Sequence, residues 1–451
     1  MNIYLVGGAV RDRLLHLPPS DLDYVVVGAT PARLEALGFN RVGQDFPVYL
    51  HPLSRASYAL ARSERKRGQG HRGFECRFDP GVTLEDDLRR RDLTINAIAQ
   101  DLRGRFIDPY GGRDDLQKRV LRHVSPAFSE DPLRVLRVAR FAARFSPMGF
   151  TVAPETLTLM RDMAESGELS SLTPERVFGE LERALKGPCP EIFIATLRAC
   201  GALAAVMPEL DALFGVPGPE RWHPEIDSGV HTLMTLKRIS AESNDPVTRF
   251  GMLCHDLGKA RTPHESWPHQ SLHNLLGLEP LRSLCERLKV PRAYADFARL
   301  VVLYHSYMHH VYRAGAEGVV SLFNHLDAFR RPERLKPWLL CCKCDFLGRR
   351  GFENRAFPRS DYLWALFNLL KTVEAAPLVA EGYRGEAVAE QLYIRRVLLA
   401  AEYLKTIPRS ELDDSANEMP PSFITDDKTD DKTDDKTDDK TDDSQKYKAE
   451  E

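Results

Sequence analysis

Two carboxylates and a pair of glycines lie close together near the start of the chain. In Ser20-Asp21-Leu22-Asp23-Tyr24-Val25-Val26-Val27 the acidic residues stand two apart at the head of an apolar run. Strand side chains alternate, so Asp21 and Asp23 are expected on one face, roughly 6–7 Å apart. Such a pair can hold Mg²⁺ ions that bridge a triphosphate and a nucleophilic hydroxyl. Upstream, Gly7-Gly8 precedes an expected helix. Glycine lets backbone approach a triphosphate, and N–H groups at a helix start favour anions. Arg11, one turn in, adds a charge that can pair with phosphate. Each piece alone is ordinary: a double glycine is most often a turn, and D-x-D most often a solvated strand end. All of them within residues 3–28 make a specific combination.

Two further clusters follow. In Arg89-Arg90-Arg91-Asp92-Leu93-Thr94-Ile95-Asn96 the arginines abut an apolar stretch, and Asp92 and Asn96 stand at i, i+4, where helical side chains meet. Arg91 is assigned to a triphosphate or ribose. Ile107-Asp108-Pro109-Tyr110-Gly111-Gly112 reads as a turn. The run from Glu130 to Phe145, EDPLRVLRVARFAARF, starts a helix near Pro132. On it Arg137, Arg140 and Arg144 fall within about 60° of one another. Asp131 and Arg134, at i, i+3, are neighbours near the helix start. A carboxylate accepting from an exocyclic amine, beside an arginine donating to a ring nitrogen, would accept cytosine and adenine and reject uracil and guanine.

These residues need a strand at Ile3–Val6, a helix over Ala9–His16 and a second strand over Ser20–Val27 to position them. That order is the organisation of the nucleotidyltransferase superfamily that includes DNA polymerase β. The 451 residues allow two to four domains of roughly 100–200 residues each. Residues 411–451 carry 16 acidic and 6 lysine side chains, a net of −10, which leaves residues 1–410 with a net of +7. A mildly basic body suits a phosphate-rich partner. Thr425–Asp443 repeats Thr-Asp-Asp-Lys without apolar periodicity, so this tail is expected to be disordered. The eight scattered cysteines point to reduced thiols and a cytoplasmic setting. No run of roughly 18 uninterrupted apolar residues marks a membrane span, and the N-terminus does not read as a signal peptide.

LVGGAVRD (5–12), DLDYVVVG (21–28), RRDLTINAIA (90–99), IDPYGG (107–112), EDPLRVLRVARFAARF (130–145) and TPERVFGELERAL (173–185) together resemble the bacterial CCA-adding enzymes. These are class II tRNA nucleotidyltransferases, and the likeness is to the gammaproteobacterial type with an HD domain. The resemblance implies an α+β head with about a five-stranded sheet (1–140), a helical neck and body that hold tRNA (141–222), a helical HD domain (223–375), a C-terminal helical segment (376–410) and the acidic tail (411–451). It implies that Gly8 and Arg11 bind the nucleotide, Asp21 and Asp23 bind Mg²⁺, and Arg91, Arg137 and Arg140 contact the nucleotide. Asp131 with Arg134 would read the base. The implied reaction adds CCA to tRNA from CTP and ATP. Poly(A) polymerases and CC-adding enzymes are the nearest alternatives; a non-catalytic RNA-binding protein is disfavoured by the intact DxD. The glycine-rich basic stretch Glu64–Gly73 matches the flexible loop expected for full CCA addition.

A second pattern begins near residue 230. His231, then Cys254-His255-Asp256-Leu257-Gly258-Lys259, then His273, His305 and finally Asp345 resemble the H…HD…D order of HD phosphohydrolases. Imidazole and carboxylate donors suit a divalent transition metal that activates water against a phosphate ester. His231, His255, Asp256 and Asp345 are read as ligands, with His273 and His305 in support and Lys259 facing phosphate. The resemblance implies Ni²⁺ or a related ion and phosphatase, 2′-nucleotidase and 2′,3′-cyclic phosphodiesterase activities. It leaves a monomer or a homodimer open.

Overall fold

The first strand fixes where the DxD segment lies. In the computed structural model, which describes residues 1–18, 21–42, 48–66, 74–77, 80–220 and 223–408, β1 (Asn2–Val6) runs into Gly7-Gly8 and α1 (Gly8–Leu14). β2 (Asp23–Val27) lies antiparallel to β1, with Val6 opposite Asp23 and Ile3 opposite Val26. Alternation covers both faces of this pair. Val6 and Val25 pack with Leu88, whereas Val26 packs with Leu34, Tyr49 and Leu60. Ser20, the basic stretch from Arg67 to Gly73 and the repeat tail lie outside the described residues.

α2 (Pro31–Ala36) leads to β3 (Asn40–Val42), β4 (Val48–Leu50) and β5 (Ser57–Leu60). β6 (Ser63–Lys66) and β7 (Phe74–Arg77) pair only with each other. After α3 (Leu84–Arg89) come β8 (Ala99–Asp101) and β9 (Phe106–Ile107). The sheet order is β3-β4-β5-β2-β1-β8-β9, seven strands instead of the expected five. The excess comes from edge pieces of three and two residues, too short for apolar alternation to announce them. The β2–β5 pairing is parallel, so the sheet is mixed.

α4 (Gly112–Lys118) begins where Asp108 accepts hydrogen bonds from the Gly112 and Arg113 N–H groups at 2.8 Å each, so the expected turn is present. A Cβ at Gly112 would stand 2.2 Å from the Thr94 carbonyl, which explains the second glycine. The short strands β10 (Val120–Leu121) and β11 (Thr151–Val152) flank α5 (Leu133–Phe145) and pair parallel to each other.

From α5 onward the chain is helical. First come α6 (Pro154–Glu165), α7 (Pro174–Leu185), α8 (Pro190–Ala199), α9 (Ala202–Val206) and α10 (Pro208–Asp211). Then follow α11 (Ser228–Glu242), α12 (Pro246–Cys254), α13 (His273–Leu276), α14 (Leu278–Arg287), α15 (Arg292–Tyr304), α16 (Gly315–His325) and α17 (Leu335–Leu347). α18 (Arg359–Leu370), α19 (Ala375–Ala380) and α20 (Glu386–Thr406) complete the described part. Prolines 154, 174, 190, 208 and 246 each occupy the first turn, where the missing N–H costs nothing.

One apolar core runs from Leu5 to Ala400. α5 carries it from head to neck, so the boundary expected at residue 140 falls inside this helix. Arg249 on α12 joins neck and C-terminal helices in the same way. It is 1 % exposed and makes five hydrogen bonds: to Leu185 O (2.6 Å), Gly187 O (2.7 Å), Ser240 O (2.9 Å), Ser243 O (2.6 Å) and Asn244 Oδ1 (3.1 Å). The stretch Arg359–Ala380, mean hydropathy 1.3, is long and apolar enough to cross a membrane by composition. Here it is two helices, with Leu363, Leu366, Phe367 and Leu370 in the core. The seven described cysteines carry free thiols.

Candidate functional site

The β1–β2 register sets Asp23 beside the turn that leads into Gly7-Gly8. Asp21 and Asp23 are both exposed, and neither pairs with another described side chain. Asp23 begins β2, whereas Asp21 precedes it outside any strand. Gly7 has φ 69° and ψ −133°, a conformation reserved for glycine. A Cβ on it would stand 2.9 Å from Arg91 Nη1, so the guanidinium of Arg91 lies against the glycine turn. Arg91 donates to Asp87 Oδ2 at 3.2 Å, and its buried Nε has no hydrogen-bond partner.

Arg11 does not point outward. It is 3 % exposed, donates to Asp12 Oδ1 (2.8 Å) and Asn96 Oδ1 (2.6 Å), and lies over the rings of Phe141 and Phe145. Asn96 in turn donates to Asp92 Oδ1 at 2.9 Å, and Asp92 Oδ2 accepts from Arg137 at 2.7 and 2.8 Å. Asp12 Oδ2 accepts from Arg144 at 3.0 Å. The result is a continuous chain, buried at its centre and half-exposed at its two ends: Arg144–Asp12–Arg11–Asn96–Asp92–Arg137. It fastens α1 and the RRD segment to α5. Burial alone would raise the Asp92 carboxyl, but Arg137 and Asn96 hold it well below the usual carboxylate range. Asp92 and Asn96 meet as expected, but across a 3₁₀ turn at Thr94–Asn96 and not on an α-helix. The sequence reading took that spacing as helical because i, i+4 does not distinguish the two.

The arginine stripe of α5 exists, and each member has an acidic partner. Arg137 takes Asp92, Arg144 takes Asp12, and Arg140 takes Glu180 on α7 at 2.5 Å. Arg140 and Arg144 also line a cavity of about 220 Å³ with Arg183 and Lys186. Asp131 precedes α5 in an extended conformation and accepts both contacts from Arg176 Nη2, at 2.9 and 3.1 Å. Arg134 is buried and donates to the carbonyls of Ala127 (2.5 Å) and Arg90 (2.6 Å). The expected neighbours are joined through the backbone, Arg134 N–H to Asp131 O at 3.0 Å. Asp12, Arg176 and Glu180 lay unremarked within the quoted motifs. A charged residue inside an otherwise apolar helix face was the available signal for Asp12.

The second constellation assembles from five elements. His231 comes from the first turn of α11, His255 and Asp256 from the end of α12, His273 from α13, His305 from the end of α15 and Asp345 from α17. All six converge. His231 Nε2 is 2.9 Å from Asp345 Oδ1, and His255 Nε2 is 3.1 Å from Asp256 Oδ2 and 3.7 Å from Asp345 Oδ1. Asp256 Oδ1 lies 3.6 Å from His305 Nε2 and 3.7 Å from His273 Nε2. Two ligand groups result, His231–His255–Asp345 and Asp256–His273–His305.

The tautomers follow from the outer hydrogen bonds. His255, His273 and His305 each place Nδ1 on a carbonyl: Met252 O (2.7 Å), Gln270 O (2.8 Å) and Val301 O (2.9 Å). A carbonyl only accepts, so Nδ1 carries a proton and Nε2 is the ring nitrogen turned inward. His273 Nε2 and His305 Nε2 thus face each other at 3.5 Å. His255 Nε2 and both Asp256 oxygens lack an aligned hydrogen-bond partner despite close neighbours. Such a donor set fits a cation between the groups. Burial lowers His255 and pushes His273 down to about 4, keeping both imidazoles neutral. Burial also opposes the charge of His231, but Asp345 and Glu225 raise it.

Lys259 Nζ sits 2.8 Å from Asp256 Oδ2, as expected of a residue one turn on. Sequence reasoning missed Glu225, whose carboxylate is 2.7 Å from His231 Nδ1 and 3.0 Å from His223 Nδ1, because its loop has no periodicity. It also missed Arg349, one turn after Asp345 and 3.4 Å from its Oδ2.

Residues 3–122 match the poly A polymerase head domain, and residues 149–214 match the probable RNA and SrmB-binding site of polymerase A. The fold is that of CCA-adding enzymes. An apo form of a CCA-adding enzyme aligns at 21 % identity and a TM-score of 0.59, covering 91 % of this chain and 90 % of that one. The Thermotoga maritima CCA-adding enzyme complexed with tRNA-CCA aligns at 19 % identity and 0.58, covering 91 % and 90 %. The Bacillus stearothermophilus CCA-adding enzyme in complex with CTP aligns at 24 % identity and 0.57, covering 89 % of each chain.

Proposed function

We propose, from the premise that residues 3–122 belong to the poly A polymerase head-domain family on a CCA-adding fold, that this chain adds and repairs the 3′-terminal CCA of tRNA without a template, from CTP and ATP. The observation that carries this is Asp23, exposed and without a side-chain partner among the described residues, beside the glycine turn, with Arg91 lying against the same turn. In the reaction the tRNA 3′-hydroxyl attacks the α-phosphorus and pyrophosphate leaves. Asp21 and Asp23 are hard oxygen donors that would hold Mg²⁺, which supplies charge stabilisation at the triphosphate. Gly8 leaves room for phosphate, and Arg91 can turn its unsatisfied Nε toward it. Arg11, Arg137 and Arg140 serve the nucleotide indirectly, by fixing α1 and α5 around it. Asp131 and Arg134 read the base, with Arg176 setting the Asp131 carboxylate. The tRNA acceptor end lies along the neck and body (141–222), where Arg140, Arg144, Arg183 and Lys186 line a basic hollow. The protein works in the cytoplasm as a monomer or homodimer.

The experiment supplies purified protein with tRNA lacking its terminal CCA, plus labelled CTP and ATP. The expected product is longer by C, C, A. Long A tracts would establish a poly(A) polymerase, the reading favoured by the head-domain match alone, and arrest after two C residues a CC-adding enzyme.

We further infer that residues 223–375 are an HD-type phosphohydrolase with phosphatase, 2′-nucleotidase and 2′,3′-cyclic phosphodiesterase activity. The inward-facing Nε2 atoms of His273 and His305, 3.5 Å apart, and the Asp256 oxygens without an aligned hydrogen bond support it. His231, His255, Asp256 and Asp345, assisted by His273 and His305, would hold Ni²⁺ or a similar ion, which supplies an activated water. Removing a cyclic or terminal phosphate restores the 3′-hydroxyl that nucleotide transfer needs. Hydrolysis of 2′,3′-cyclic AMP by the metal-loaded protein, lost in His255→Ala, is the expected outcome; no hydrolysis by the unaltered protein with Ni²⁺, Co²⁺ or Mn²⁺ would refute the assignment.

A further inference from the structure

Arg249 and Arg349 are both buried guanidiniums, 1 % and 3 % exposed, but they are satisfied very differently. Arg249 makes five hydrogen bonds, matching its five N–H groups, as a purely structural arginine should. Arg349 reaches Asp345 Oδ2 and His309 Nε2 only through Nη2, each at 3.4 Å, and its buried Nε has no partner at all. Leaving a buried charged donor unmet is unfavourable unless something else supplies acceptors.

The location says what that something is. Of the two carboxylates at the centre of the histidine cluster, Asp256 is paired with Lys259 at 2.8 Å and Asp345 loosely with Arg349. Each acidic ligand thus carries one cationic neighbour. We propose that Arg349 is a phosphate-binding residue of this site: its Nε and Nη2 engage the phosphoryl group of a phosphate ester held at the cluster, together with Lys259. A planar fork matches two phosphate oxygens, which a lysine cannot do. This rests on the phosphohydrolase reading of the cluster.

The test uses the full chain loaded with Ni²⁺, comparing the unaltered protein with Arg349→Gln and Arg349→Lys. Readouts are KM and kcat for 2′,3′-cyclic AMP, the inhibition constant for inorganic phosphate, and bound nickel per chain. Arg349→Gln should raise KM and the phosphate inhibition constant together, about 10- to 100-fold, with nickel content unchanged. Arg349→Lys keeps the charge but loses the fork, and should recover only part. Nickel loss in Arg349→Gln, or KM and inhibition constant within twofold of the unaltered protein in both variants, would show that Arg349 merely steadies Asp345. If the unaltered protein neither hydrolyses the cyclic nucleotide nor binds phosphate, the phosphohydrolase reading itself fails, and the proposal with it. Hydrolysis by the unaltered protein with unperturbed variants overturns the proposal alone.

Discussion

The two sites of this chain solve opposite electrostatic problems. Asp21 and Asp23 stand exposed near a strand end with no side-chain partner among the described residues, while the arginines of α5 are bound to acids of the fold. The histidine cluster is the reverse: its donors are buried and crowd one another, and its carboxylates are touched by cations. A site that must admit a triphosphate and an RNA end keeps its carboxylates in water and uses ion pairs to hold shape. A site built around a small cation can be closed, because its donors become mutually satisfied only when the cation is between them. The contrast also separates the arginines: those of α5 are each paired with an acid, whereas the buried Nε of Arg349 has no hydrogen-bond partner among the described residues.

The contrast would be broken most directly at Asp23. Asp23→Asn should lower CTP incorporation by about three orders of magnitude or more. Because the side chain is exposed, the thermal midpoint should stay within about 1 °C. A variant that still extends tRNA at a near-normal rate would remove the carboxylate from the reaction. His255→Ala should cost about 100-fold or more in cyclic-phosphate hydrolysis while CCA addition changes less than about twofold. Parallel loss of both activities would mean that the sites are not separate.

The scaffold role of the buried chain is sharpened by Asp92→Asn. Breaking a buried ion pair of this kind costs about 3 kcal/mol, read from urea unfolding at pH 7. The folded carboxyl lies below its unfolded value of about 3.9, so the folded protein binds fewer protons there. Its contribution is therefore fully present above that value and fades as pH falls below it. The gap between variant and parent should be constant from pH 6 to 8 and narrow below about pH 4; a gap that widens in acid would contradict the sign. The smallest effect is expected for Gly7→Ala. Positive φ costs about 1–2 kcal/mol, and the new Cβ meets Arg91 Nη1. KM for CTP should rise about fivefold with kcat little changed.

Chemistry was more legible in the sequence than partnership. The order strand, Gly-Gly, helix, DxD located the head correctly, because short-range patterns fix it: alternation in β1 and β2 and one glycine-only turn. The six residues of the histidine cluster follow from the resemblance to the H…HD…D order, and all six meet. What the sequence did not show is which charges neutralise which. Arg11 looks like a phosphate ligand until Asn96, 85 residues away, accepts its hydrogen bond. Arg176 and Glu180 look like ordinary helix-surface charges until α7 lies against α5. Such pairings depend on tertiary approach and leave no periodic trace. The seventh and outermost strands were invisible for a similar reason, since two or three residues cannot show a period.

Arg249 bears on how this protein can be taken apart. Its guanidinium sits on α12, yet two of its acceptors are carbonyls at the C-terminal end of α7, Leu185 and Gly187. A fragment ending before α11 would lose the Arg249 donor to those groups, and a fragment beginning there would bury a cation short of two bonds. Neither half is therefore an independent module that recombination or a truncated clone could carry away intact. Expressed as two separate polypeptides, the halves should be recovered in soluble form only when made together.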